Sequence, residues 1–228
     1  MFKWIAIGMG LILLTALMVE VVGLAVLHHN RGSFAEYWQE QAVKPGEFVY
    51  VALGDSVAQG LGASQPANGY VGQIATIIGN QTGKRVRIIN LSRTGAKVQD
   101  VINQQLPQLK KYKPDLVTLD IGANDMGSFE QDRFFRQYKA LAEALPANAI
   151  VANVPYAGGR STFNRNASQA NATIKTLAPG NDLRIVDIYS ALAPRQSPLI
   201  YAPDFYHPSD RGYEIWTTTM WKTIAPLL

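Results

Sequence analysis

The sequence predicts a three-layer α/β/α domain, a five-stranded parallel sheet with helices on both faces, preceded by an N-terminal hydrophobic helix. Three observations predict it. Five short runs rich in β-branched and aromatic residues recur along the chain, stretches with apolar residues at helical spacing lie between them, and the first four runs are each followed at once by glycine, serine or proline. Continuous apolar runs of this length suit strands buried on both faces, and their alternation with helices is the pattern of parallel crossover connections.

The first element is the N-terminal segment. Ile5 to Leu27 is 23 residues long and carries one charge, Glu20. As a helix it would run about 35 Å, enough to cross a hydrocarbon core of about 30 Å. We read it as a membrane anchor. The alternatives are a cleaved signal peptide, with Gly23-Leu24-Ala25 as a small-x-small site, and a buried core helix, which an all-round apolar helix at an extreme terminus fits poorly. A segment of this kind acts as an export signal, so the domain is expected outside the cytoplasm, anchored or, after cleavage, secreted. Asn30 to Glu47 follows, with Phe34, Tyr37, Trp38 and Gln41 at helical spacing, and reads as a short juxtamembrane helix or linker ending at Pro45-Gly46. The expected organisation is 1–30 anchor or signal, 31–47 linker and 48–228 the main domain.

Within that domain the strands are read at Phe48–Leu53, Val86–Leu91, Leu116–Ile121, Ala149–Val154 and Leu183–Ile188. Helical patterns fall at Tyr70–Ile78, at Phe134 to Leu145, more weakly at Gln169–Leu177, and in a last helix carrying Tyr213, Trp216, Met220 and Ile224, with Ser209 as its N-cap.

Composition removes several classes of function. The chain has 228 residues, 47% hydrophobic and 17% charged, which is not the composition of a disordered protein. It has no cysteine, so disulfides, thiolate metal sites and a cysteine nucleophile are excluded. The net charge of +4 is scattered; the Lys110, Lys111 and Lys113 group reads as solvated charge, and no nucleic-acid partner is expected. No His/Asp/Glu cluster suggests a metal. A Gly-x-Ser-x-Gly elbow is absent, and Gly60-Leu61-Gly62 falls short of a dinucleotide fingerprint because Gln65 stands where glycine is required.

In open parallel sheets the working residues lie beyond the carboxyl ends of the strands. There the sequence places Gly54-Asp55-Ser56, Ser92-Arg93-Thr94-Gly95, Gly122-Ala123-Asn124-Asp125 and Pro155-Tyr156, and, before the last helix, Asp204-Phe205-Tyr206-His207-Pro208. A serine hydroxyl needs a base to become a nucleophile, and His207 is the candidate; His28 and His29 abut the hydrophobic segment. Asp204, three residues before His207, can share a tight loop with it and hold its tautomer. The Gly95 N–H, the Asn124 side-chain amide and the Ser56 N–H are candidate donors to an oxyanion, the last at the start of a helix and helped by its dipole. Asp125 is a rival partner for His207. Asp55 reads as bonded to neighbouring loop backbone, and Asp120 and Asp187 as structural. Tyr156 and Tyr206 either line a cleft or simply pack.

As a set of ordered blocks these residues resemble the SGNH hydrolase superfamily, the GDSL-type esterases and lipases. Ser56, Gly95, Asn124 and His207 match its four named residues. Val51 to Gly60 resembles the first block, with Val57 where leucine is usual. Asn90 to Gly95, Gly122 to Asp125 and Asp204 to Tyr213 resemble the other three. The resemblance covers Phe48 to the C-terminus. It implies a flavodoxin-like fold with sheet order 2-1-3-4-5 and metal- and cofactor-free ester hydrolysis. Ser56 would be nucleophile, His207 base and acid, Asp204 its orienting partner, and Ser56, Gly95 and Asn124 the oxyanion hole. The expected substrate is a small acyl ester or thioester, lipase- or lysophospholipase-like. A carbohydrate O-acetyl esterase is the alternative, and a binding protein that has kept the fold without turnover is the alternative of another class. The chain is expected to act as a monomer. Acyl length and leaving group have no readable code in the loops 59–68, 127–132 and 156–166.

Overall fold

The computed structural model describes residues 32–195 and 197–228 and, ahead of them, residues 15, 17, 18, 21–23, 25, 29 and 30. The predicted membrane segment Ile5 to Leu27 lies largely outside the described residues. Among the described residues no helix is long and apolar enough to cross a membrane.

Residues 32–42 form a helix, α1. Then come β1 (Phe48–Gly54), α2 (Tyr70–Thr82) and β2 (Val86–Asn90). Helix α3 is composite: Val98–Asp100, a π-type turn at Val101–Gln105, and Leu106–Leu109. It is followed by β3 (Leu116–Asp120), α4 (Gln131–Ala144), β4 (Ile150–Ala152), α5 (Ser161–Leu177), β5 (Arg184–Val186), α6 (Ile188–Leu192) and α7 (Asp210–Ile224). The five strands are all parallel, in the order β2-β1-β3-β4-β5 expected of the fold.

Side-chain alternation along each strand feeds two cores. From β1, Val51 and Leu53 join Val117, Leu119 and Val151 on one face, under α3, α4 and α5. Phe48, Tyr50 and Ala52 join Ile150 and Ala152 on the other, under α2, α6 and α7. Trp38 of α1 belongs to this second core and is 2% exposed, so the stretch read as a helix or linker is a helix packed on the domain.

The predicted strands at Ala149–Val154 and Leu183–Ile188 pair over three residues each, and Ile188 already starts α6. Helix α3 was not foreseen, and α5 starts eight residues before the pattern that predicted it. Its first half, Ser161 to Ser168, is mostly polar, and its side chains hold two neighbouring loops: Asn164 bonds both the N–H and the C=O of Ala157, and Asn166 donates to the Met126 carbonyl in the turn after β3. Ser209 caps α7 as predicted, accepting from the Gly212 N–H.

Candidate active site

Parallel pairing brings the carboxyl ends of β1, β2 and β3 to one edge, and the candidate residues leave from that edge. Ser56 follows β1 by two residues. The chain after it does not begin a helix; residues 56–62 wind through turns, with the Leu61 N–H bonded to the Ser56 carbonyl at 2.9 Å. The expected helix-dipole contribution at the Ser56 N–H is therefore absent, since the next α-helix starts at Tyr70. The end of β1 is fixed instead by Gln105, wholly buried in the π-type turn, whose side-chain amide accepts from the Gly54 N–H (2.9 Å) and donates to the Gly54 carbonyl (2.8 Å).

His207 arrives from the opposite end of the sequence. Asp204 closes its turn: Oδ1 accepts from the N–H groups of Tyr206 and His207, each at 3.0 Å. Oδ2 meets His207 Nδ1 at 2.5 Å, and His207 Nε2 meets Ser56 Oγ at 2.9 Å. With Nδ1–H donated to the carboxylate, Nε2 is left as the acceptor for the serine proton. Burial works to raise the Asp204 carboxyl, but the hydrogen bond and charge of His207 and the N–H groups of Tyr206 and His207 outweigh it and hold the group below the usual carboxylate range. Asp125, the rival partner, instead accepts from the Val98 N–H at 3.2 Å.

Gly62 permits this approach. It has φ +98°, and a Cβ there would stand 2.4 Å from the Pro208 carbonyl oxygen and 2.8 Å from His207 Cβ. The glycine pair that failed as a dinucleotide fingerprint is thus partly explained by the close seat of the histidine turn. Tyr213 and Trp216 of α7 lock that helix to the same edge. The Tyr213 hydroxyl donates to the Leu61 carbonyl (2.8 Å), and Trp216 Nε1 donates to Asp120 Oδ2 (2.7 Å) at the end of β3.

Gly95 has φ +79°, a left-handed backbone that favours glycine, and a Cβ there would meet nothing within 4 Å. Asn124 sits on a short 3-10 turn after β3, and its amide donates to Asp55 Oδ2 (3.1 Å) and to the Ala96 carbonyl (3.0 Å). Asp55 therefore does more than tie its own loop, where Oδ1 accepts from the Val57 N–H at 2.9 Å. Burial and the Asp120 charge push the Asp55 carboxyl well above its ordinary range, against the Val57 N–H. Asp187 is structural as expected, capping α6 through the Ser190 N–H and accepting from Asn153.

Beside Ser56 lies a crevice of about 20 Å³, lined by Ala123 and the rings of Tyr156, Phe163, Tyr201, Tyr206 and Trp216. Phe163 meets Tyr206 edge-on at 6.3 Å, Tyr206 meets His207 edge-on at 5.1 Å, and the Arg160 guanidinium lies 5.0 Å over the Tyr206 ring.

Residues 52–215 match the GDSL-like Lipase/Acylhydrolase family. The chain belongs to that family. It is an SGNH hydrolase, an enzyme of ester bonds. Among solved structures it is similar to TesA, with a TM-score of 0.68 and 20% identity over 79% of this chain and 99% of that one. It is similar to Axe2, an acetylxylan esterase from Geobacillus stearothermophilus, with a TM-score of 0.66 and 21% identity over 78% and 94%. A lipase/acylhydrolase from Enterococcus faecalis gives a TM-score of 0.65 and 20% identity over 78% and 96%. At these identities the likeness is one of fold. No curated protein sequence matches the chain. Sequence reasoning missed Gln59, Gly62, Gln105 and Trp216 as supports of this SGNH site. All four are ordinary in type, and only the spacing of Gly62 from Gly60 drew attention to one of them.

Proposed function

We propose that the protein is a serine esterase that works through an acyl-enzyme intermediate on small acyl groups. The observation that carries this reading is the unbroken chain from Ser56 Oγ to His207 Nε2 and from His207 Nδ1 to Asp204. Ser56 Oγ attacks the ester carbonyl carbon and its proton passes to His207 Nε2. The carbonyl π electrons move onto oxygen, where the N–H groups of Ser56 and Gly95 and the Asn124 amide stabilise them. The tetrahedral species collapses, the alcohol leaves with the proton from His207, and Ser56 is acylated. Water then repeats the sequence with His207 as base and releases the acid. To serve the oxyanion, Asn124 redirects one of the two N–H groups it now spends on Asp55 and Ala96.

The crevice favours the carbohydrate O-acetyl reading over the lysophospholipid one. Five aromatic rings and Ala123 leave about 20 Å³ beside the nucleophile, room on the scale of a single water or methyl group. Axe2, named as an acetylxylan esterase, supports the same reading by analogy. Hydrolysis of p-nitrophenyl esters graded from acetate to palmitate, with acetylated sugars alongside, tests it: kcat/KM should fall steeply beyond acetate. A profile that rises toward palmitate would instead support the lipase-like reading, and no turnover on any ester would support the binding protein.

The anchored, extracytoplasmic placement is part of this proposal. Supporting it are the apolar length of Ile5 to Leu27 and the exposure of Leu17, Met18, Val21 and Val22, which are 57–62% exposed and do not join the core. Protease shaving of intact cells should remove the domain; protection until lysis would reverse the orientation.

A further inference from the structure

Helix α1 lies outside the residues that match the family, yet it is wired to the site. Trp38 Nε1 donates to the Gln59 carbonyl at 2.9 Å, and both residues are buried. Gln59 stands three positions after Ser56. Its side-chain amide crosses to the loop after β2: Nε2 donates to the Ser92 carbonyl (3.1 Å), and Oε1 accepts from the Thr94 N–H (3.0 Å) and the Thr94 hydroxyl (2.5 Å). Thr94 is the residue whose peptide bond carries the Gly95 N–H.

A Cβ at Gly95 would meet nothing within 4 Å, so that side of the residue is open. Its flanks are held by hydrogen bonds. Gln59 grips Thr94 on one side, and the Asn124 amide grips the Ala96 carbonyl on the other. An oxyanion donor contributes only if it is already aimed when charge develops, and displacement by a fraction of an ångström loses much of its worth.

We propose that Gln59 is a positioning residue that aims the Gly95 N–H, and that α1, through Trp38, is a working part of the catalytic unit. This rests on the assignment of Gly95 to the oxyanion hole. Trp38 fixes the backbone of Gln59 from behind, so that its amide reaches Thr94 at the right height. The chain that leads to the hydrophobic N-terminal segment therefore ends, physically, one residue from the oxyanion donor.

The test compares Gln59→Met, Thr94→Val and Trp38→Phe in the full chain, with p-nitrophenyl acetate as substrate. Methionine keeps the volume of Gln59 and removes its hydrogen bonds. Gln59→Met should lower kcat by about 10- to 100-fold with KM changed less than about twofold, and Trp38→Phe should lower kcat by about 3- to 10-fold. The Gln59→Met loss should shrink in an Asn124→Ala background, because both act on one charge; a general loosening of the fold would add independently. Folded variants with unchanged kcat, a loss confined to KM, or full additivity with Asn124→Ala would overturn the proposal. If Gln59→Met does not fold, Thr94→Val and Trp38→Phe decide by the same criteria. Activity surviving in Ser56→Ala would refute the underlying reading instead, whatever Gln59 does.

Discussion

Ser56 Oγ and His207 Nε2 stand 2.9 Å apart across 151 positions of sequence. Topology makes the contact. Ser56 leaves the carboxyl end of β1, which lies between β2 and β3, and His207 leaves the loop that opens α7. Tyr213 ties α7 to the turn after Ser56, and Trp216 ties it to Asp120 at the end of β3. Ser56 and His207 are thus fixed to one sheet edge by separate hydrogen bonds.

Removing the nucleophile should abolish turnover. Ser56→Ala is expected to lower kcat on p-nitrophenyl acetate by a factor on the order of 10⁴–10⁶, with the fold intact by circular dichroism. An unchanged rate would refute the assignment of Ser56.

Asn124→Ala should lower kcat by a factor on the order of 10²–10³ and leave KM nearly unchanged, because the amide serves the transition state rather than the bound ester. Steady-state kinetics read this directly. A loss seen mainly in KM would mean that Asn124 holds substrate or structure instead.

Gly62→Ala should harm both stability and rate. The added Cβ meets the Pro208 carbonyl at 2.4 Å in a left-handed backbone, so a cost of about 1–3 kcal/mol is expected in urea melts. The His207 turn must also move, which should lower kcat by about tenfold or more. Gly127→Ala is the control: a Cβ there meets nothing within 4 Å and its φ is not left-handed, so both quantities should stay close to wild type.

Asp125 should contribute a stability that falls with rising pH. Burial raises the Asp125 carboxyl to about 6, against the Val98 N–H and the charges of Lys97 and Arg133. The native state then keeps this proton after the unfolded chain has lost its own. The resulting stabilisation is full below the ordinary carboxylate value and is lost as pH climbs through about 6. Asp125→Asn keeps an acceptor for Val98 and does not titrate. Between pH 4.5 and 7 it should therefore gain on wild type, by up to about 2 kcal/mol in paired urea melts. A wild-type-minus-variant difference independent of pH would contradict this.

The strands and the site were legible for the same reason. Strands buried on both faces must be apolar along their whole length, so FVYVAL and LVTLDI stand out, and the candidate site residues lie in the polar stretches just beyond them. Helix α3 was not legible. Its apolar positions Val98, Val101, Leu106 and Leu109 drift off the helical period because a π-type turn inserts between them, and Pro107 sits inside it. The early half of α5 was hidden by poor helix formers whose asparagines are spent on neighbouring loops. Gln59 and Gln105 were invisible for a simpler reason: a buried, hydrogen-bonded amide is spelled the same way as one in solvent. Only the groups they meet, contributed by distant segments, mark them out.

One carboxylate, that of Asp204, accepts from two main-chain N–H groups and from the imidazole at the same time. The bend of the loop and the tilt of the ring are consequently a single degree of freedom. Lengthening the interval by one amino acid, or replacing the aspartate by the longer glutamate, should therefore disturb the bend and the imidazole together. The three-residue step from Asp204 to His207 is in this sense a ruler.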